Sequence, residues 1–120
     1  HFQKDPHAQG KLVRCMTGRV IDVIVDLRKS SPTFGQHEKY ELDADKGNML
    51  YVPPGFAHGF IALEETIFVY KCTDFWNIGA ESGIRWNDPN LAIDWTHENP
   101  IISDKDQLLP LFDLNETIFN

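Results

Sequence analysis

What the chain has little of already narrows what it can be. It holds two cysteines, Cys15 and Cys72, each inside an apolar strand-like run, residues 11–16 and 66–72. Neither has a partner at the spacing of a thiolate metal site. Both are read as buried, reduced thiols of a cytoplasmic protein rather than as a disulfide. No apolar run approaches the roughly 18 residues that a membrane-spanning helix needs, and no charged-then-apolar leader follows His1. Positive charge is scarce, with 11 Lys and Arg against 18 Asp and Glu and a net charge of −7. That balance argues against a nucleic-acid partner and offers no polybasic patch to a membrane. An anionic small molecule stays open as a ligand, because a few local lysines decide that. Helical periodicity is absent outside one short C-terminal stretch, and there is no internal repeat and no low-complexity segment.

What is there reads as one β-rich domain of 120 residues. Residues 19–28 (RVIDVIVDLR) alternate: Ile21, Val23, Val25 and Leu27 face one way, Val20, Asp22, Ile24 and Asp26 the other. The first set predicts a core face. The second mixes acids with aliphatics, as the inside of a ligand-holding barrel does, and Asp22 could pair with Lys11 there or face solvent. Residues 11–16 form a second strand, and Thr17-Gly18 reads as the turn of a hairpin between the two. Further strands are expected over 39–42, 49–52, 58–63 and 66–72, with a short one over 91–95. Ser103 and Asp104 ahead of Leu108-Leu109 fit the cap of a short helix over 103–109. Many short strands separated by turns predict a sandwich or barrel.

The sharpest local pattern is GNMLYVPPGFAH, residues 47–58. A strand ends at Pro53, which cannot donate to a ladder, Gly55 permits a sharp turn, and His58 starts the return strand pointing inward. Gly, five residues, Pro-x-Gly, two residues and His is the second cupin motif. The first cupin motif would supply an HxH pair and a Glu, but residues 18–26 contain no His. One His cannot hold a catalytic metal alone, since such sites use about three protein ligands. The cavity is therefore expected to be metal-free and to need no cofactor, with side chains supplying the chemistry. Of His1, His7, His37, His58 and His97, only His1 and His58 lie beside strand-forming residues.

Longer stretches carry a resemblance. HFQ at 1–3, AQGKLVRC at 8–15, DVIVDLRKSSPTFG at 22–35, PPGFAHGF at 53–60, VYKCTDFW at 69–76, WNDPNLAIDW at 86–95 and ISDKD at 102–106 closely resemble the dTDP-4-dehydrorhamnose 3,5-epimerases. The match runs in order along nearly the whole chain. It implies an all-β, cupin-type double-stranded β-helix (jelly roll) with a short C-terminal helix, as a single domain over residues 1–120. It implies a homodimer acting on a dTDP-linked 4-keto-6-deoxy sugar. Aligned with the family, His1 is the base, Tyr70 the opposing acid, Lys11 the cation at the ketone oxygen and Asp106 the carboxylate that orients the base. His58, Glu81 and Lys105 align with nucleotide-sugar contacts. Trp76 stands where the family has a Tyr that stacks on thymine. A monofunctional 3- or 5-epimerase, or a non-catalytic cupin that binds a sugar nucleotide or dimerises, is the alternative reading. The family carries further strands and diphosphate-binding arginines ahead of HFQ. In this chain the motif opens at residue 1, so the base is expected to be held by little on that side.

Overall fold

The computed structural model describes residues 1–120. Eight strands and one helix follow in order: β1 Phe2–Gln3, β2 Lys11–Thr17, β3 Arg19–Asp26, β4 His37–Asp43, β5 Leu50–Val52, β6 Phe56–Ala62, β7 Ile67–Cys72, β8 Glu81–Ser82 and α1 Asp104–Gln107. Two three-stranded antiparallel sheets face each other, one ordered β5-β2-β7 and the other β4-β3-β6, while β1 pairs with β8 at one end. No helix is long and apolar enough to cross a membrane.

The strands read between residues 11 and 72 exist, with boundaries shifted by a residue or two, but their partnership differs. The expected hairpin between residues 11–16 and 19–28 does not form. β2 lies in one sheet and β3 in the other, so Gly18 marks a corner where the chain changes sheet. Gly18 has φ +73°, and a Cβ there would fall 2.4 Å from the Glu65 carbonyl oxygen and from the Thr66 Oγ1, so only glycine fits. The β6–β7 connection changes sheet in the same way. Of consecutive strands from β2 to β7, only β3 and β4 pair directly, in register from Arg19↔Asp43 to Val25↔His37.

The alternation along β3 sets the layering. Val20 and Asp22 point between the sheets, where Val20 packs with Val13, Cys15 and Leu42. Val25 faces outward and packs with Leu27, Ala57, Leu91, Phe112, Phe2 and Phe119, which belong largely to the flanking segments. Both faces of β3 are thus covered, and a fully buried Val or Leu here contributes about 2 kcal/mol by removal from water. Asp26 does not reach the barrel interior. It accepts from Arg28 Nε and Nη2, from Ser31 Oγ and from Thr33 Oγ1, and so ties the β3–β4 loop to itself. Burial opposes ionisation of Asp26, but these donors outweigh it and hold the carboxyl well below the usual carboxylate range.

Two further expectations need correction. Residues 91–95 form no strand. Ala92 has φ +47° and Thr96 φ +60°. The buried Asp88 carboxylate accepts from the backbone N–H of Asn90, Leu91 and Phe112, donors a ladder would otherwise use. Both cysteines are free, as read, but only Cys15 is buried; Cys72 is exposed at the end of β7.

Candidate active site

His1 enters the site through its backbone. Its nitrogen donates to the His58 carbonyl at 2.8 Å, and the His58 N–H donates to the His1 carbonyl at 3.0 Å. Two reciprocal bonds pin the first residue to the edge of β6, which corrects the expectation that little holds it. Its ring, one-third exposed, places Nε2 2.7 Å from Asp106 Oδ1. The helix that presents Asp106 is short and capped: Ser103 Oγ accepts from the Asp106 N–H at 3.2 Å. A capping-box acid would turn its carboxyl back onto the cap residue; Asp106 spends its carboxyl on His1 instead. An ionised carboxylate only accepts, so against one Nε2 is the donor, and a neutral ring then has its lone pair on Nδ1.

That free nitrogen faces two things. Gly83 lies beneath it, where an added Cβ would come within 3.5 Å of Nδ1 and 2.9 Å of Leu109 Cδ1, so the close approach depends on a missing side chain. Glu81 Oε1 lies 3.9 Å away. Glu81 is also the meeting point of two other candidates: Lys105 Nζ donates to Oε1 at 2.7 Å, and Trp76 Nε1 donates to Oε2 at 3.2 Å. The Lys105 hydrogen bond draws the Glu81 carboxyl below its ordinary range, with burial opposing and the Trp76 bond assisting.

The opposite wall comes from β2 and β7. Their register sets Lys11 beside Cys72, Val13 beside Tyr70 and Cys15 beside Phe68. Val13 and Cys15 are buried between the sheets, so Tyr70 and Cys72 share that inward face with Lys11. Tyr70 and Trp76 each stand 65% exposed at the open end. Burial pulls the Lys11 ammonium below its ordinary 10.5, against the opposing charges of Cys72, Glu81 and Asp22.

Deeper between the sheets lies a second histidine–carboxylate pair. His58 Nε2 is 2.7 Å from Asp22 Oδ2, and the ring stacks on Phe68 with centroids 6.4 Å apart. Asp22 is fully buried, and its Oδ1 has no hydrogen-bond partner. Burial raises its pKa, with the His58 hydrogen bond and charge opposing. A separate apolar cavity of about 540 Å³ lies behind His1, between the outer face of β6 and the segment carrying Trp86, Trp95 and Ile101. His1 and Asp106 border it, whereas Lys11, Tyr70, Trp76 and Glu81 do not.

His1–Asp106 and Lys105–Glu81–Trp76 therefore form two bonded groups that approach to 3.9 Å at His1 Nδ1 and Glu81 Oε1. Lys11 and Tyr70 stand on the opposite wall, and His58 sits below with Asp22. Sequence reasoning left the partner of Asp22 open and missed Cys72, although its position two residues from Tyr70 on one strand places both on one face.

Two facing sheets with a carboxylate-held imidazole at one end make up a cupin-type jelly roll. The family model for dTDP-4-dehydrorhamnose 3,5-epimerase matches residues 1–113, and the chain belongs to that family. It is 51% identical over 107 residues to the dTDP-4-dehydrorhamnose 3,5-epimerase of Shigella flexneri, covering 88% of this chain and 59% of the relative. The crystal structure of the Bacillus anthracis enzyme of that name, with TDP and PPi bound, superposes with TM-score 0.89 at 52% identity, covering 92% of this chain and 64% of that one. The Legionella pneumophila dTDP-6-deoxy-D-glucose-3,5-epimerase, in complex with dTDP-4-keto-L-rhamnose, gives TM-score 0.86 at 43% identity, with coverage of 94% and 60%. The chain thus spans about three fifths of the length of the relatives it matches.

Proposed function

We propose that the chain carries the acid–base site of a sugar-nucleotide 3,5-epimerase acting on a dTDP-linked 4-keto-6-deoxyhexose. The observation that carries this reading is the His1–Asp106 pair with a free Nδ1 on the side of the site where Glu81 and Lys105 lie. The C4 ketone acidifies the protons on C3 and C5. Nδ1 of His1 takes one of them, the C–H electron pair moves through carbon onto the C4 oxygen, and an enolate forms. Asp106 stabilises the resulting imidazolium. The Lys11 ammonium stabilises the oxyanion. The Tyr70 hydroxyl returns a proton to the opposite face, and solvent restores both groups. No electron leaves the substrate, so the net change is inversion alone.

His58, Glu81, Lys105 and Trp76 serve binding in this reading. Lys105 is exposed on the helix and offers positive charge to a diphosphate, and the flat indole of Trp76 suits stacking on a nucleobase. A homodimer is favoured by the outer face of the β5-β2-β7 sheet, where Leu12, Met16, Tyr51, Ile67 and Val69 are all exposed. Two free cysteines suit a reducing, cytoplasmic setting.

The test is solvent exchange. Incubation with dTDP-4-dehydro-6-deoxyglucose in heavy water should replace hydrogen by deuterium at both C3 and C5, followed by NMR. Exchange at one carbon alone would reduce the activity to a single-site epimerase. Binding without exchange would sink the enzymatic reading.

A further inference from the structure

Glu81 touches too much to be only a substrate contact. One carboxylate accepts from Lys105 at 2.7 Å through Oε1 and from Trp76 at 3.2 Å through Oε2, while Oε1 also stands 3.9 Å from the proton-accepting nitrogen of His1. Around the His1 ring, α1 contributes Asp106 and Lys105, β8 contributes Glu81, and β2 contributes Lys11, whose ammonium senses the Glu81 charge. Lys105 is the exposed member, with 62% of its side chain open to solvent, whereas Glu81 is 22% exposed and bonded on its other oxygen by the indole.

A diphosphate competes for Lys105 with more charge than one carboxylate carries. Once Lys105 turns to it, Oε1 loses its strongest donor. The nearest replacement is the Nδ1–H that forms when His1 takes a proton. We propose that Glu81 is a positioning residue for the base, held by Lys105 in the empty site and freed, when a bound diphosphate draws Lys105 away, to accept from the Nδ1–H that forms as His1 takes its proton. This rests on the nucleotide-sugar reading above and deepens it, because arrival of the nucleotide then strengthens the base at the moment the sugar is in place. His1 in the complex lies between two carboxylates, Asp106 on Nε2 and Glu81 on Nδ1. An imidazolium between two acceptors is stabilised by both. Trp76 ties the same carboxylate to the nucleobase platform, so the two ends of the nucleotide meet at one side chain.

The pH profile of C5 exchange separates this role from a structural one. The acidic limb of kcat/KM reports the base in the free protein, and that of kcat reports it in the complex. In the parent protein the kcat limb should lie above the kcat/KM limb by about one pH unit, the effect of a carboxylate coming within ~4 Å. Glu81→Gln should lower the exchange rate and bring the two limbs together. Lys105→Met should move the kcat/KM limb up toward the parent's kcat limb, because Glu81 is then free without ligand. The double variant Glu81→Gln/Lys105→Met should lose that rise. If Glu81→Gln keeps the full separation, or the rise survives in the double variant, the field of the diphosphate or of Lys105 is responsible and the proposal falls. Absence of exchange in the parent would remove the reaction and this proposal together, whereas dTDP binding and exchange with superposed limbs would remove this proposal alone.

Discussion

The molecule contains two histidine–carboxylate pairs with the same 2.7 Å contact in opposite surroundings. His1 and Asp106 sit at the rim with about a third of each side chain open to solvent. His58 and Asp22 sit between the sheets, with 10% and 0% exposed and Phe60 and Phe68 against the imidazole. Distance alone therefore does not assign a role. The rim pair has a free ring nitrogen facing the cluster of Lys105 and Glu81, and its exposure lets solvent carry away a proton that this nitrogen accepts. The inner pair is shielded, its carboxylate has one oxygen without a partner, and burial raises the Asp22 pKa. The inner pair's burial suits holding a shape better than turning over.

The largest effect should come from exchanging the two histidines' fates. His1→Asn should lower C3 and C5 exchange by about 10³-fold, with a thermal midpoint close to the parent's, because the backbone bonds to His58 remain. His58→Asn should act mainly on stability and cost about 3 kcal/mol, because it strips a buried carboxyl of its one side-chain partner. Denaturant unfolding beside the exchange assay reads both quantities. If His1→Asn unfolds the protein while His58→Asn abolishes exchange at normal stability, the contrast between rim and interior is inverted.

Next comes a test of whether only the rim pair supplies the base. Tyr70→Phe removes the opposite-face donor and leaves both histidines intact. Epimerised product should fall by about 10²-fold, while deuterium exchange with retained configuration continues at C5. Equal loss of the two would mean that Tyr70 and His1 do not act on opposite faces, and the inner pair would become the alternative donor.

Much of this arrangement was readable, and the unread parts have a physical cause. The period-2 pattern of residues 19–26 and the Pro53-Pro54-Gly55 corner are local, so strands β3 and β6 followed from composition and turn chemistry. The division of strands between sheets did not. A glycine with φ +73° closes a hairpin or turns a corner equally well, and what decides at Gly18 is the remote Glu65–Thr66 backbone beside it. Residues 91–95 look like a strand because Leu, Ile and Trp alternate, but Asp88 captures the backbone donors the strand would need. The site shows the same division. His1 and Asp106 are 105 positions apart, and no local pattern links them; they were paired by family resemblance. The partner of Asp22 stayed open for the opposite reason, since Lys11 and His58 both fit an inward carboxylate on β3, and only the β3–β6 register, Ile24↔His58, puts the imidazole within reach.

The smallest effect is also the one that separates environments most cleanly. Asp22 and Glu81 are both carboxylates beside a histidine, and their pKa values move in opposite directions. Asp22 holds its proton more tightly folded than unfolded. Its contribution to stability is full below its ordinary 3.8 and is lost as pH rises through the higher folded value. Glu81 is displaced downward from 4.5, so its contribution is present above that pH and is lost as pH falls through the lower folded value. Urea unfolding between pH 3 and 6.5 should therefore give opposite trends. Relative to the parent, Asp22→Asn should gain stability as pH rises, whereas the deficit of Glu81→Gln should shrink as pH falls. Each slope is bounded by about 1.4 kcal/mol per pH unit for one proton. If the Asp22→Asn difference instead shrinks as pH falls, as it does for Glu81→Gln, Asp22 is an ionised partner of His58 held by charge. The two pairs would then differ in exposure but share one electrostatic design.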